Sequence, residues 1–266
     1  MIDNLTADLF KTRGQGMTLP SESYDLDLSQ SYDVAHRLYH KQLEAGKTLA
    51  GRKIGISNRA AWASLGLDDV VWGYVYTDTV VWAEDNHAML SLEGLSAPKL
   101  EPEIVFGLKA DLPTGTRDPV ELLEAVEWLA LGFEVVQNPY PGWQFKPADL
   151  VATFGFHGAL VVGSKVELEG QSLSRLAASL AETQATLYKN SEVVGEGGGQ
   201  NVVASPAVAL GHLADLIAED EASEPLGKNE LVTTGTLTAA PGIMAGESYR
   251  IAVTDLDLPD LTLELS

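Results

Sequence analysis

The run Leu100-Glu-Pro-Glu-Ile-Val-Phe106 constrains this chain more than any other feature, because it sets two carboxylates one residue apart inside an apolar stretch. Strand side chains repeat every two residues, so Glu101 and Glu103 share one face while Ile104 and Phe106 serve the other. A third carboxylate, Glu134, stands alone in Leu131-Gly-Phe-Glu-Val-Val136. An unpaired carboxylate in apolar surroundings is costly, and a divalent ion held by three oxygen ligands both offsets that cost and does chemistry. Glu101, Glu103 and Glu134 are therefore a candidate Mg2+ or Mn2+ site. The competing reading is the solvated face of an ordinary strand. Pro102 belongs at an edge or a bulge, which suits either reading.

Charge narrows the partners. With 38 acidic against 17 basic residues the formal net charge is −21, which repels phosphate backbones and anionic lipid surfaces, so neither nucleic acid nor a membrane is an expected partner. A small anionic substrate would be repelled as well unless a metal or local cations reverse the potential inside a pocket. The absence of cysteine excludes disulfides, thiolate catalysis and Cys-ligated metal sites. The first ten residues lack a secretory pattern and no segment reads as long and apolar enough to span a bilayer, so a cytoplasmic protein is expected.

Along the chain, Val34, Leu38 and Leu43 recur at helical intervals between Ser31 and Leu43. Gly51-Arg-Lys-Ile-Gly-Ile56 then alternates with period two and predicts a strand carrying Lys53. Residues 70–82 are rich in β-branched and aromatic side chains and predict strand. Asp118-Pro119 followed by Val-Glu-Leu-Leu-Glu-Ala-Val-Glu-Trp-Leu-Ala predicts an amphipathic helix over 118–130 that delivers Glu134 to the start of the next strand. Residues 185–194 read as strand, Gly195-Glu-Gly-Gly-Gly-Gln200 as a glycine-rich turn, 206–218 as helix, and 231–238 and 249–265 as strand. Many strands and few helices without regular alternation argue for an α+β fold. The expected organisation is an N-terminal helical segment, residues 1–70, leading into a β-rich catalytic domain, residues 71–266.

The common nucleotide and hydrolase motifs fail. Gln200 stands where a dinucleotide fingerprint needs glycine, and Lys41 stands where the phosphate loop ending Gly46-Lys47-Thr48 needs one. His36 and His40 lie four apart on one helix face, a spacing open to a metal pair or a structural pair. His157, after Phe154-Gly-Phe156, is either a hydrogen-bonded strand-end residue or a proton shuttle. Lys53 and Lys146 sit in locally apolar surroundings that can tune an ammonium for acid–base work or simply let it reach solvent.

Taken in order, Ser31-Tyr-Asp-Val-Ala35, Gly51-Arg-Lys-Ile-Gly55, Gly73-Tyr-Val-Tyr-Thr-Asp78, Glu101-Pro-Glu103, Phe133-Glu-Val-Val136, the Trp143 to Asp149 loop and Thr234-Gly-Thr-Leu-Thr-Ala239 resemble the fumarylacetoacetate hydrolase superfamily. The resemblance runs along nearly the whole chain and points to the branch of 2-oxopent-4-enoate hydratases and 4-oxalocrotonate decarboxylases. It implies a β-rich distorted barrel with flanking helices, a homo-oligomer, and Mg2+ or Mn2+ on Glu101, Glu103 and Glu134. Lys53 and Asp78 match positions associated with proton transfer, and Lys146 looks like a lysine near the metal pocket.

The reaction expected from the resemblance is hydration of a 2-hydroxy-2,4-dienoic acid to a 4-hydroxy-2-oxo acid, with Lys53, Asp78, Lys146 and His157 as candidate catalytic residues. The alternatives are cleavage of an acylpyruvate-like diketo acid, decarboxylation of a 2-oxo-3-enedioate, or a catalytically silent partner of a related enzyme. One departure bears on the substrate: where familiar hydratases carry an Asp-Asn-Ala-Ser-Ser-like run, this chain has Thr153-Phe-Gly-Phe-His157. Loss of those hydroxyls implies a different way of holding the substrate's tail or carboxylate.

Overall fold

Two helices precede the first strand in the computed structural model, which describes residues 2–13, 15–16 and 25–266: α1 (Ile2–Thr12) and α2 (Leu28–Glu44). Helix α2 begins where Asp27 accepts the backbone N–H of Gln30 at 2.8 Å while the Gln30 side chain accepts that of Asp27, a reciprocal cap. Its buried stripe is Val34, Ala35 and Leu38. His36 on the same helix bonds Tyr74 Oη and Asp220 at 2.9 and 2.7 Å, which gives it a structural role and separates it from His40.

The chain continues through β1 (Leu49–Gly55), α3 (Arg59–Leu65), β2 (Val71–Tyr76), β3 (Val80–Trp82), β4 (His87–Leu90) and β5 (Lys99–Leu108). Next come α4 (Pro119–Leu123), β6 (Val126–Val136), α5 (Pro147–Ala152), β7 (His157–Val162), β8 (Val166–Glu167) and α6 (Leu173–Glu182). The last elements are β9 (Gln184–Lys189), β10 (Glu192–Gly198), α7 (Pro206–Glu219), β11 (Leu231–Thr233), β12 (Ser248–Val253) and β13 (Leu261–Leu265).

Strands pair in the order β2-β1-β11-β5-β6-β7-β3, with β8 on β6, and a second sheet runs β10-β9-β12-β13-β4. The first sheet's two edges, β2 and β3, are joined by Thr77–Thr79 alone. So short a link requires the sheet to curl until its edges approach, and the result is the expected α+β half-barrel of mixed pairing with helices outside. The inner face carries a compact apolar cluster that includes Val75, Val105, Trp128, Ala130 and Leu160. By strand parity, Glu103 and Glu134 lie on that same face, further along β5 and β6. The outer face, with Ile104, Phe106, Phe133 and Val135, joins the large core shared with the helices.

Three local expectations are corrected. The helix expected over 118–130 stops at Leu123, and Val126–Val136 is a strand, because its whole length finds a partner in β5 from Lys99↔Val136 to Leu108↔Val126. Glu134 therefore lies near the end of a strand, not its start. The glycine-rich run continues the strand β10 through Gly198, where Gly197 and Gly198 permit close approach to the backbone of Leu237 and Thr183, and only then turns, in a 3-10 segment from Gly199 to Asn201 whose Gly199 lies against Leu180. The stretch Gly199–Glu219 does reach a membrane-spanning length and hydropathy, but 67% of that window is buried within the protein, where α7 packs on α4 and α6.

Arg52 of β1 is fully buried, paired with Glu230 and stacked over Tyr74 at 4.9 Å. Removing one partner of such a pair strands the other charge. Glu230→Ala is expected to lower the unfolding free energy by about 3 kcal/mol in urea titrations.

Candidate active site

Register brings the carboxylates together. Glu101 and Glu134 are direct cross-strand partners on β5 and β6, and Glu103 sits opposite Gly132. One ligand oxygen from each of the three lies within 4.8 Å of the others. Pro102 falls beyond the β11 ladder, which pairs with β5 only from Val105 to Gly107, so its missing N–H costs no bond on that side.

Each carboxylate is held differently. Glu103 Oε2 accepts from Thr233 Oγ1 and from the Gly235 N–H, the latter at 2.7 Å, while its buried Oε1 has no partner. Gly235 can make this approach because its φ of +104° suits glycine and a Cβ there would lie 2.1 Å from Ser57 Oγ. Glu134 Oε2 accepts from Lys53 Nζ and Oε1 meets His157 Nδ1, both at 2.8 Å. Lys53 comes from β1, and His157 opens β7.

His157 Nε2 meets Thr79 Oγ1 at 2.8 Å. The Thr79 hydroxyl donates to the Tyr76 carbonyl at 2.8 Å, so its one proton is not left for Nε2, and an ionised Glu134 accepts from Nδ1–H. Burial lowers the His157 pKa, against the pull of Glu134.

Burial, then the neighbouring carboxylates, raise Glu103 well above its ordinary value, and burial raises Glu101 to about 7. Burial works to raise Glu134 too, but Lys53 and His157 hold it below the usual range. For Lys53, burial acts downward and is outweighed by Glu134, Glu101 and Glu103, so the ammonium is kept charged.

These features pass the test for a hard divalent cation: three oxygen donors, two of them opposite each other as like charges, and one buried donor atom with no partner. The metal-free protein should show the repulsion directly. Raised folded-state pKa values mean the folded protein binds more protons than the unfolded chain, so stability falls as pH rises from 4.5 through about 7. Thermal melting of metal-stripped protein is expected to be lower at pH 8 than at pH 5.5, and Mg2+ or Mn2+ should reverse the loss.

No family model matches the chain. A 2-hydroxypent-2,4-dienoate hydratase of Pseudomonas putida is 29% identical over 220 residues, spanning 82% of this chain and 96% of the relative. A 4-oxalocrotonate decarboxylase of a Pseudomonas species is 29% identical over 225 residues, spanning 84% of this chain and 80% of the relative. The solved 4-oxalocrotonate decarboxylase from Pseudomonas putida G7, complexed with magnesium and adipate, superposes with a TM-score of 0.88 at 21% identity, covering 100% of this chain and 97% of that one. Over four fifths or more of its length the chain is similar to 2-keto-4-pentenoate hydratases and to 4-oxalocrotonate decarboxylase. The fold extends more distantly to fumarylpyruvate hydrolase from Pseudomonas aeruginosa in complex with Mn2+ and pyruvate, with a TM-score of 0.61 at 16% identity over 80% of this chain and 88% of that one.

Within the site, Lys53 and His157 join the three carboxylates, whereas Asp78 and Lys146 stand apart. Asp78 is exposed and bonds Lys47 at 2.5 Å; Lys146 is exposed and meets Asp25 at 3.2 Å. Thr79, Thr233 and Gly235 were not singled out as site residues from the sequence. Their roles follow from contacts 78, 130 and 132 residues distant in the chain, which no local pattern signals. Thr79→Val removes the hydroxyl that meets His157 Nε2 and with it part of the support for Glu134. Metal affinity is expected to fall by about 10-fold, measured by Mn2+ titration.

Proposed function

We propose that this protein is a divalent-metal-dependent enzyme acting on a small 2-oxo acid of the dienoate or diketo class, and that its reaction is decarboxylation of a 2-oxo-3-enedioate. The observation that carries the reading is a cavity of about 180 Å3 with the charged Lys53 and Glu101 in its lining and an apolar wall of Ile56, Val136, Trp143, Phe145, Leu150 and Phe156. Phe156 is braced edge-on by Phe145 and Trp143, at 4.9 and 5.8 Å between ring centres.

Glu101, Glu103 and Glu134 would hold the metal. Bound Mg2+ or Mn2+ supplies a hard Lewis acid for the carboxylate and ketone oxygens of a 2-oxo acid. The aromatic wall excludes water from a second carboxylate at the far end of the substrate, and a dry environment favours neutral CO2 over the anion. As that C–C bond breaks, its electron pair enters the conjugated enolate, and the Lys53 ammonium gives a proton to carbon. His157 keeps Glu134 oriented and Glu134 keeps Lys53 charged.

Hydration of a 2-hydroxy-2,4-dienoate is the second reading, favoured by the 29% identical hydratase and by the hydroxyls of Ser57 and Thr236 in the same cavity lining. Both reactions use one enolate and differ in what happens at the distal carbon. The deciding assay incubates the Mg2+- or Mn2+-loaded protein with 2-oxohex-3-enedioate and, separately, with 2-hydroxypenta-2,4-dienoate, following CO2 release and product NMR. Metal-dependent CO2 release from the first supports the proposal; turnover of the second alone, to a 4-hydroxy-2-oxo acid, replaces it with the hydratase. Turnover of neither substrate, with both metals, would remove both readings.

A further inference from the structure

On the other side of the Thr153–His157 segment lies a second, smaller cavity, about 30 Å3, lined by Leu9, Thr12, Arg13, Gln137, Phe154 and His157 among others. It shares no lining residue with the cavity that faces Lys53 and Glu101. The backbone between the two is unusual. Phe154, Gly155 and Phe156 all adopt left-handed φ, at 61°, 63° and 60°, a conformation that costs a non-glycine residue on the order of 1 kcal/mol or more. Gly155 is required at the centre, because a Cβ there would meet Lys53 Cδ at 3.0 Å. The turn sends Phe156 to one cavity and Phe154 to the other.

Arg13 occupies the second cavity. Its guanidinium carbon lies 3.8 Å from the centre of the Phe154 ring and 5.5 Å from that of Tyr76. Both Nη1 and Nη2 are buried and neither has a hydrogen-bond partner among the described residues; the neighbouring Tyr76 hydroxyl is buried and unpartnered as well. The nearby polar groups bond elsewhere and none meets Arg13: Thr12 Oγ1 donates to Leu9 O, Gln137 Oε1 accepts from Ser96 N, and Asp78, the carboxylate whose charge acts on Arg13, bonds Lys47. A buried cation whose two Nη atoms meet no acceptor among the described residues calls for an anion.

We propose that this cavity binds the carboxylate head of a small acid on the Arg13 fork, at a site separate from the metal-facing cavity. The planar two-oxygen head of a carboxylate matches the paired guanidinium N–H groups. The size agrees, since about 30 Å3 accommodates roughly two water-sized oxygens, fewer than a phosphate carries. The inference does not depend on which reaction the metal site performs. It also gives the Thr153–His157 departure a physical role: the hydroxyls lost from that run are replaced by a phenyl ring that seats an arginine.

Isothermal titration of the full-length, Mg2+-loaded protein with sodium acetate tests this, with the metal-stripped protein as the control for the metal-facing cavity. Saturable acetate binding is expected, roughly tenfold or more weaker in Arg13→Met and intermediate in Arg13→Lys, with Mn2+ affinity unchanged in both. Acetate should bind the metal-stripped protein with the same affinity. Acetate binding that is lost with the metal would put the carboxylate in the substrate cavity and overturn the separate site. Absence of acetate binding, or equal binding by folded Arg13→Met or Arg13→Lys protein, would overturn the proposal outright.

Discussion

Glu134→Gln is expected to abolish metal retention and turnover together. The substitution keeps the side chain's shape but removes the charge that both Lys53 and His157 contact at 2.8 Å. The amide can satisfy only one of those neighbours as an acceptor, and the remaining oxygen is a poorer ligand for a hard cation. Mn2+ affinity should fall by roughly 100-fold or more, beyond the loss from a supporting residue alone, and kcat with it. Calorimetric titration with Mn2+ and steady-state assay of the same preparation check this. Near-normal affinity in the variant would place the ion elsewhere and break the argument from the three carboxylates.

Lys53→Met separates proton transfer from metal binding. Lys53 is buried and its ammonium bonds Glu134, so its removal takes away a cation that competes with the metal for the same carboxylates. Metal affinity is expected to hold or rise, while kcat drops by about 10²–10⁴-fold, the range of general acid–base catalysis. Lys53→Arg refines the test. Arginine keeps the charge but gives up no proton near neutral pH, so a purely electrostatic role would be rescued and proton donation would not. Rescue by arginine would assign Lys53 to holding Glu134 in place.

Local patterns made much of the fold legible. Helix α2, strand β1 and helix α7 follow from apolar spacing and capping, which are properties of neighbouring residues. Strand β6 did not, because Glu-Leu-Leu-Glu-Ala favours helix and only the partner strand β5, far away in the chain, turns Val126 onward into a ladder. The glycine run is strand as far as Gly198 and a turn only from Gly199, for the same reason: its glycines answer to the backbone of Leu237 and Leu180, not to their own neighbours.

By itself the sequence determined that Glu101 and Glu103 share a face, since alternation along a strand needs no partner, and that no thiol takes part, since there is no cysteine. It also made Lys53 and His157 worth watching. Only the tertiary structure decided that Lys53 and His157 both meet Glu134, that Thr233 and Gly235 hold one oxygen of Glu103 and leave the other bare, and that Asp78 and Lys146 lie on the surface. The Arg13 cavity belongs to the same class, because an unpaired guanidinium is defined by everything that fails to reach it. Side-chain direction within a strand is a local property, whereas register, burial and hydrogen-bond partners are set by segments that meet only when the sheet has curled.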